Sequence, residues 1–557
     1  DSAAAFAWRE FIALNWPAVP QTGAPETRDK PDTTQNFGSS TYTGPLVWHT
    51  FRAKVEIFPP AGSVPNGYVY DPARDYGYDA PPQYTYGVPV TPFSSSQGSD
   101  AVPWINLDEN DEIGQDAMFA GNANGLAFPG TLILFMAKAN RAEYVYVAQN
   151  NFFDTAQANP AFRASAAYVR ANRASPPAGG AEAASLPFGT IEIKAAWRRL
   201  TPAEVASGRF YRAPVRFYRQ AASGSGTAFV DDTLGLIALH IIHKTPSRPH
   251  FVFATFEQAD NLLDAQGDTV EDVYGNVYPQ YQNVPPTDPM LTPTAAQMPS
   301  ADTGYTPTNV QSISPLTAAS VPGSRLYYIN SSTRGFGYLP QGPISVNRRL
   351  HSIPPAIVQA NQNAQAAIAA YNQQNGIASS PWQFYKLVNV QYQPLDKPAG
   401  QPYPGADTAT YYQANAVVET NLNLQAFSGM FQPSFNYPDT VAANKDSANH
   451  RYGLITDWCA QNPVASGCPG TPAAFKNVYA GGTGYNMGGC MGCHGNAQVG
   501  GGDFSFILKE VNNHAPQLAD SASAPNDMVG AAKYFQLFST GGGARPNGAR
   551  PPPPRPR

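Results

Sequence analysis

Charge is what this chain has least of. Asp, Glu, Lys and Arg make up only 13% of its 557 residues, about half the share of an ordinary soluble domain. The net charge is -5, and no Lys/Arg cluster is interleaved with aromatics, which argues against nucleic acid as a partner. Arg545, Arg550, Arg555 and Arg557 sit in a Pro-rich tail, where the reading is a solvated extended segment. No apolar run reaches the roughly 18 residues a membrane span needs. A Gly-rich phosphate loop, a His-Glu-x-x-His helix and a nucleophile elbow are all missing. Cysteine is scarce too: there are four, all between residues 459 and 493.

Aromatics and turn formers fill the gap. Thirty Tyr and 29 Phe rule out a disordered chain, while 54 Pro and 48 Gly favour strands joined by long irregular loops over a helical bundle. The expected fold is a mixed, β-rich body, a sandwich or layered sheet, followed by a mainly helical C-terminal segment. Its divisions are 1–283, an N-terminal helix and β-rich body; 284–325, a Pro/Ser/Thr-rich loop or linker; 326–413, a mixed continuation of the body; 414–540, the C-terminal segment; and 541–557, a Pro/Arg tail.

Helical spacing of apolar residues predicts an amphipathic helix over 6–16, stopped by Pro17. Strands are predicted at 131–137, 143–149, 190–199, 209–218, 234–244 and 250–257, and again from Trp382 to Tyr392. The run from Leu234 to Lys244 is apolar at both alternating sets of positions, so that strand should be covered on both faces. Residues 355–373 predict an Ala/Gln-rich helix that starts at a Pro and ends before Gly376; 414–431 and 526–538 are further helix candidates. Asp108, Asn110, Asp111, Glu112 and Asp116 form an acidic patch. A calcium loop from Asp108 would need Gly where Ile113 stands, so a solvated turn is expected.

Cys490-Met491-Gly492-Cys493-His494 has the C-x-x-C-H spacing of c-type haem attachment. Two thiols three positions apart can each add to one vinyl group of the porphyrin, and the next residue then places an imidazole under the iron. Two other readings compete. Cys459 and Cys468 could join Cys490 and Cys493 around zinc, although eight residues between the first two are too many for a zinc knuckle. A thioredoxin-like redox pair would lack its βαβ setting and would leave His494 unexplained. In an oxidising compartment Cys459 and Cys468 would form a disulfide worth about 2–3 kcal/mol.

Three islands of sequence carry a resemblance. They are Phe11-Ile12-Ala13-Leu14-Asn15-Trp16-Pro17; Gly235 through Pro249 with Thr255-Phe256-Glu257-Gln258-Ala259-Asp260-Asn261; and the haem motif followed by Asp503-Phe504-Ser505-Phe506. With these the chain resembles the large exported monohaem proteins of the loosely defined cytochrome c family. The resemblance implies one haem c and export to the periplasm or surface of a bacterium, and it implies no substrate. The opening Asp1-Ser2-Ala3-Ala4-Ala5 fits a precursor already cleaved of a signal peptide. Unlike small cytochromes c, the preceding helix candidate ends near Phe431, far before the motif.

His494 is therefore expected as the proximal iron ligand, and Met528 as the distal one, with Met430, His450, Met487 and His514 as other candidates. His240, His243 and Glu257 are candidates for catalytic proton transfer beside the haem. The two histidines, three apart on a strand, should point to opposite faces. The leading expectation is electron transfer with a redox partner protein. The alternatives are a haem-dependent oxygenase or peroxidase with an open distal position, and a structural or polymeric assembly protein.

Overall fold

The computed structural model describes residues 2–39, 41–98, 101–109, 118–121, 132–172, 175–264, 266–284, 287–288, 325–330, 342–349, 352–392, 415–418, 490–491, 494, 497–498, 500–509 and 515–519. Its helices are α1 (Ser2–Leu14), α2 (Lys54–Ile57), α3 (Arg141–Gln149), α4 (Thr155–Asn172), α5 (Pro202–Ser207) and α6 (Pro355–Gln374). Its strands are β1 (Arg52–Ala53), β2 (Val90–Pro92), β3 (Ile105–Leu107), β4 (Met118–Gly121), β5 (Leu134–Ala139), β6 (Ile191–Arg198), β7 (Arg212–Gln220), β8 (Thr227–Thr245), β9 (Arg248–Gln258), β10 (Thr287–Asp288), β11 (Arg325–Asn330), β12 (Gly342–Val346) and β13 (Tyr385–Gln391).

A mixed nine-stranded sheet forms the body. Its main path runs β1-β5-β6-β8-β7-β3, with β9 and β13 added beyond β8 and β2 alongside β8. Glu109, just past β3, bridges back to Phe135 on β5, so the path curls into a nearly closed barrel. The long β8 holds it together, pairing with β6, β7, β9 and β2 at successive stretches. A second sheet, β10-β12-β11-β4, is antiparallel throughout.

One face of the large sheet is apolar. Ile193, Ala195, Leu239, Ile241, Val252, Ala254, Leu387 and Val390 pack there against α1 and α6. From α1 come Ala4, Ala7, Trp8, Phe11 and Leu14, a stripe at helical spacing. Each large side chain taken out of water contributes about 1.5–3 kcal/mol. The edge strand β13 is closed by amides of α6. Asn361 Nδ2 donates to Leu387 O and its Oδ1 accepts from the Leu387 N–H, while Gln365 Nε2 donates to Tyr385 O.

The β-rich body and both faces of β8 match the sequence expectation, with β5 displaced a few residues from 131–137. Residues 143–149 do not: they are α3, a correction to the predicted strand. The alternating Tyr144-Val145-Tyr146-Val147 mimics a strand, but Glu143, Tyr144, Val147 and Ala148 share a buried helical face. The first helix starts earlier than predicted, at Ser2, and α4 was not foreseen because Ala and polar residues hide its period. Asn415–Val418 form a buried turn rather than the start of a helix. Asp108 is buried and accepts from the Tyr86 hydroxyl instead of sitting on a solvated turn. The rest of that acidic patch, most of 284–325, the helix candidates at 419–431 and 526–538, and the tail lie outside the described residues.

Candidate cofactor site

Side chains alternate across a sheet, so the apolar face of the body implies a second set of residues behind it. Strand register arranges that set in three rows across five strands. One row reads Phe135, Ala196, Ala238, Glu257, Lys386; the next Ala137, Lys194, His240, Thr255, Asn389; the third Ala139, Glu192, Ile242, Phe253, Gln391. Polar and charged groups dominate the last two columns and the middle of the face, yet nearly all are buried. Such a face must be covered and its polar atoms matched.

At the first row the cover is ionic. Arg349 bridges Glu257 and Glu271, and Lys386 Nζ reaches Glu271 Oε2 at 2.7 Å, so two carboxylates meet two cations away from water. The cations hold Glu271 below the usual carboxylate range although burial opposes it. Asn415, in the buried turn, donates to Thr255 Oγ1 at 2.9 Å.

At the third row the cover is the segment that carries the C-x-x-C-H motif. Residues 490, 491, 494, 497 and 498 are helical. Cys490 is 6% exposed, among an apolar cluster that includes Phe152, Phe162, Phe251, Phe253, Phe504 and Leu508. The Met491 N–H donates to Gln391 Oε1 at 2.8 Å, which docks the motif on β13. The His494 ring lies between Phe253 and Phe506, 4.9 Å from each centroid. Its Nδ1–H donates to Phe504 O at 2.7 Å. A carbonyl can only accept, so this bond fixes the tautomer and leaves the Nε2 lone pair available. Enclosure lowers the His494 pKa to about 4, the Phe504 bond opposing and Lys194 adding to that fall.

The acceptor carbonyl is held by a tight turn. Asp503 and Phe504 both have positive φ, 51° and 63°. At Gly501 (φ +86°) any Cβ would fall 2.0 Å from Phe162 O, so only glycine lets the turn approach α4. The Asp503 carboxylate anchors the turn by accepting from the Leu186 N–H at 2.8 Å and pairing with buried Lys244.

Between these covers lies His240. It is 5% exposed, and its Nε2 has no hydrogen-bond partner. Burial, then Lys194, then His494 push its pKa down to about 3, so the ring is neutral. Lys194, its cross-strand neighbour, is itself drawn to Glu109 at 3.4 Å. Beside it, Glu192 and Glu143 form a buried carboxyl pair. Burial raises Glu192 to about 7, opposed by neighbouring Ser505 and Glu143, and raises Glu143 well above its usual range, with the charge of Glu192 adding.

The sequence candidates are thus dispersed. His240 faces the motif segment; His243, on the opposite face, pairs with Glu10 of α1; Glu257 is clamped by Arg349. Cys493, Cys459, Cys468 and Met528 lie outside the described residues, as do Met430, His450, Met487 and His514. Sequence reasoning missed Glu143, Glu192, Lys194 and the anchoring role of Asp503. Glu192 and Lys194 did carry a signal: two charges alternating with Ile191, Ile193 and Ala195 on a strand point to the same face. Among the described residues no helix is long and apolar enough to cross a membrane, and no three His, Cys, Asp or Glu side chains gather as a metal site. Compared with family models, curated proteins and solved structures, the chain matches none.

Proposed function

We propose that the chain is an exported c-type cytochrome that holds one haem through Cys490 and Cys493, with His494 as an axial iron ligand. We propose further that it passes electrons to or from a redox partner protein. The observation that carries this reading is the His494 Nδ1–H bond to Phe504 O. A histidine that ligates through Nε2 is usually held in this way by its other nitrogen, which fixes the ring and raises its donor strength. The apolar cluster around Cys490 supports it as well, since a porphyrin edge needs such a lining.

Each cysteine would add its S–H across one vinyl group: a C–S bond forms, the thiol proton ends on the other vinyl carbon, and nothing is oxidised or lost. Haem c, when bound, supplies a one-electron couple at the iron. The residues of this chain orient and insulate it. Phe504 O fixes the His494 ring, Phe253 and Phe506 restrain its plane, and the Asp503–Lys244 pair pins the turn that presents the carbonyl. Attachment of this kind belongs outside the cytoplasm, so the proposed location is the periplasm or cell surface, where Cys459 and Cys468 would form a disulfide.

The test is direct. Protein produced with a haem-attachment system should be coloured, and the colour should stay with the polypeptide through acid denaturation and solvent extraction. Cys490→Ala together with Cys493→Ala should release it. A colourless protein, or stoichiometric zinc on four thiols, would defeat the proposal. Ready binding of cyanide or carbon monoxide at an open iron position would instead favour an oxygenase or peroxidase.

A further inference from the structure

We infer that His240, through Nε2, is the second axial ligand of the haem iron, and that Met528 does not hold that position. This rests on the haem reading above and names its other ligand. A buried polar atom without a partner is uncommon and calls for a reason. His240 Nε2 is such an atom, in a histidine 5% exposed. Its row neighbours are engaged elsewhere: Thr255 Oγ1 accepts from Asn415 Nδ2, and Lys194 pairs with Glu109.

Position supplies the second argument. His240 pairs with Thr255 while Phe253, one row on, pairs with Ile242, so Phe253 is the diagonal cross-strand neighbour of His240. That same phenyl ring is packed on His494. Another buried histidine, His49, also has an orphaned Nε2, but it sits beside Trp48 and Tyr211, away from the motif segment. Among the described residues, His240 combines an unpartnered Nε2 with a place beside the phenyl ring that packs on His494.

Chemistry supplies the third. An imidazole nitrogen is a common metal ligand, and His240 offers one on the buried face of the sheet. It lies on the central strand of the large sheet, fixed on both edges by β6 and β9. A ligand on such a support moves little between oxidation states, which suits electron transfer.

The experiment uses the full-length holoprotein. Near-infrared magnetic circular dichroism and electron paramagnetic resonance of the ferric form should give a low-spin signature of two imidazoles, without the charge-transfer band of methionine ligation. His240→Ala should keep its covalent pigment, turn high-spin and bind carbon monoxide, and added imidazole should restore the low-spin spectrum. Met528→Ala should leave the spectrum unchanged. If His240→Ala does not accumulate, His240→Met should gain the methionine band and a higher midpoint potential. A methionine band or a high-spin iron in the coloured wild type would overturn the inference alone. So would a low-spin, two-imidazole spectrum that survives His240→Ala or His240→Met. A colourless wild type would overturn the haem reading, and this inference with it.

Discussion

Glu143 and Glu192 show what a buried carboxyl pair costs when no cation answers it. Both have pKa values raised by burial, so the folded chain holds protons that the unfolded chain releases above 4.5. Between 4.5 and about 7 the native state binds more protons, and stability falls as pH rises; below 4.5 the penalty vanishes. Glu192→Gln should flatten this slope and stabilise the protein at pH 8 by roughly 2–3 kcal/mol. Urea midpoints measured across that range check it; an unchanged slope would show that the pair is not the source. Asp503 is the opposite case, a buried carboxylate with its cation in place. Asp503→Asn keeps the shape and the left-handed backbone but strands Lys244, and should cost about 3–5 kcal/mol in the same assay. Neither effect was legible in the sequence. Glu143 and Asp503 stand 360 positions apart, one on α3 and the other in the turn after the motif, and only the tertiary fold brings them near each other.

Elements were legible where one force dominated. The 234–244 part of β8 was visible because apolar side chains on both alternating sets of positions leave few other structures, whereas Thr227–Thr233, with its two aspartates, was not. The helix at α6 was visible from Ala content and a Pro start. What the period concealed is that its buried face carries Asn361, Gln365 and Asn372 among Ile357 and Ile368. Asn361 and Gln365 serve the unpaired edge of β13. Asn361 serves three partners, Leu387, Tyr274 O and the Trp8 indole N–H. Asn361→Leu should therefore destabilise by about 2–4 kcal/mol despite its apolar gain, since it leaves buried donors and acceptors unmet. Thermal and urea unfolding would register it, and a neutral result would mean that water replaces the amide. The strand predicted at 143–149 failed for a related reason: β-branched and aromatic residues fit either period over seven positions, and the contact with α2 and the short helical stretch Pro72–Gly77 decided for helix.

At the scale of the whole molecule, residues distant in sequence converge on one covered face of the sheet. The motif itself was plain in five residues; the scaffold that orients His494 was not, because it is assembled from β6, β8, β9, β13 and the turn at Asp503. Intact-mass measurement should find the chain heavier by one haem and lighter by the two hydrogens of a single disulfide. Two haems, or a mass unaltered after reduction, would revise the count of cofactors or the pairing of Cys459 with Cys468. Burial of Cys490 also sets an order of events. If haem is attached as proposed, a sulfur sealed among phenylalanines is out of reach of the attachment machinery, and the porphyrin would have to be joined while this stretch of chain is still loose. Docking then closes the site behind it. An apoprotein that folded first would be trapped: its Cys490 should resist alkylation until denatured, and haem supplied late should not be taken up.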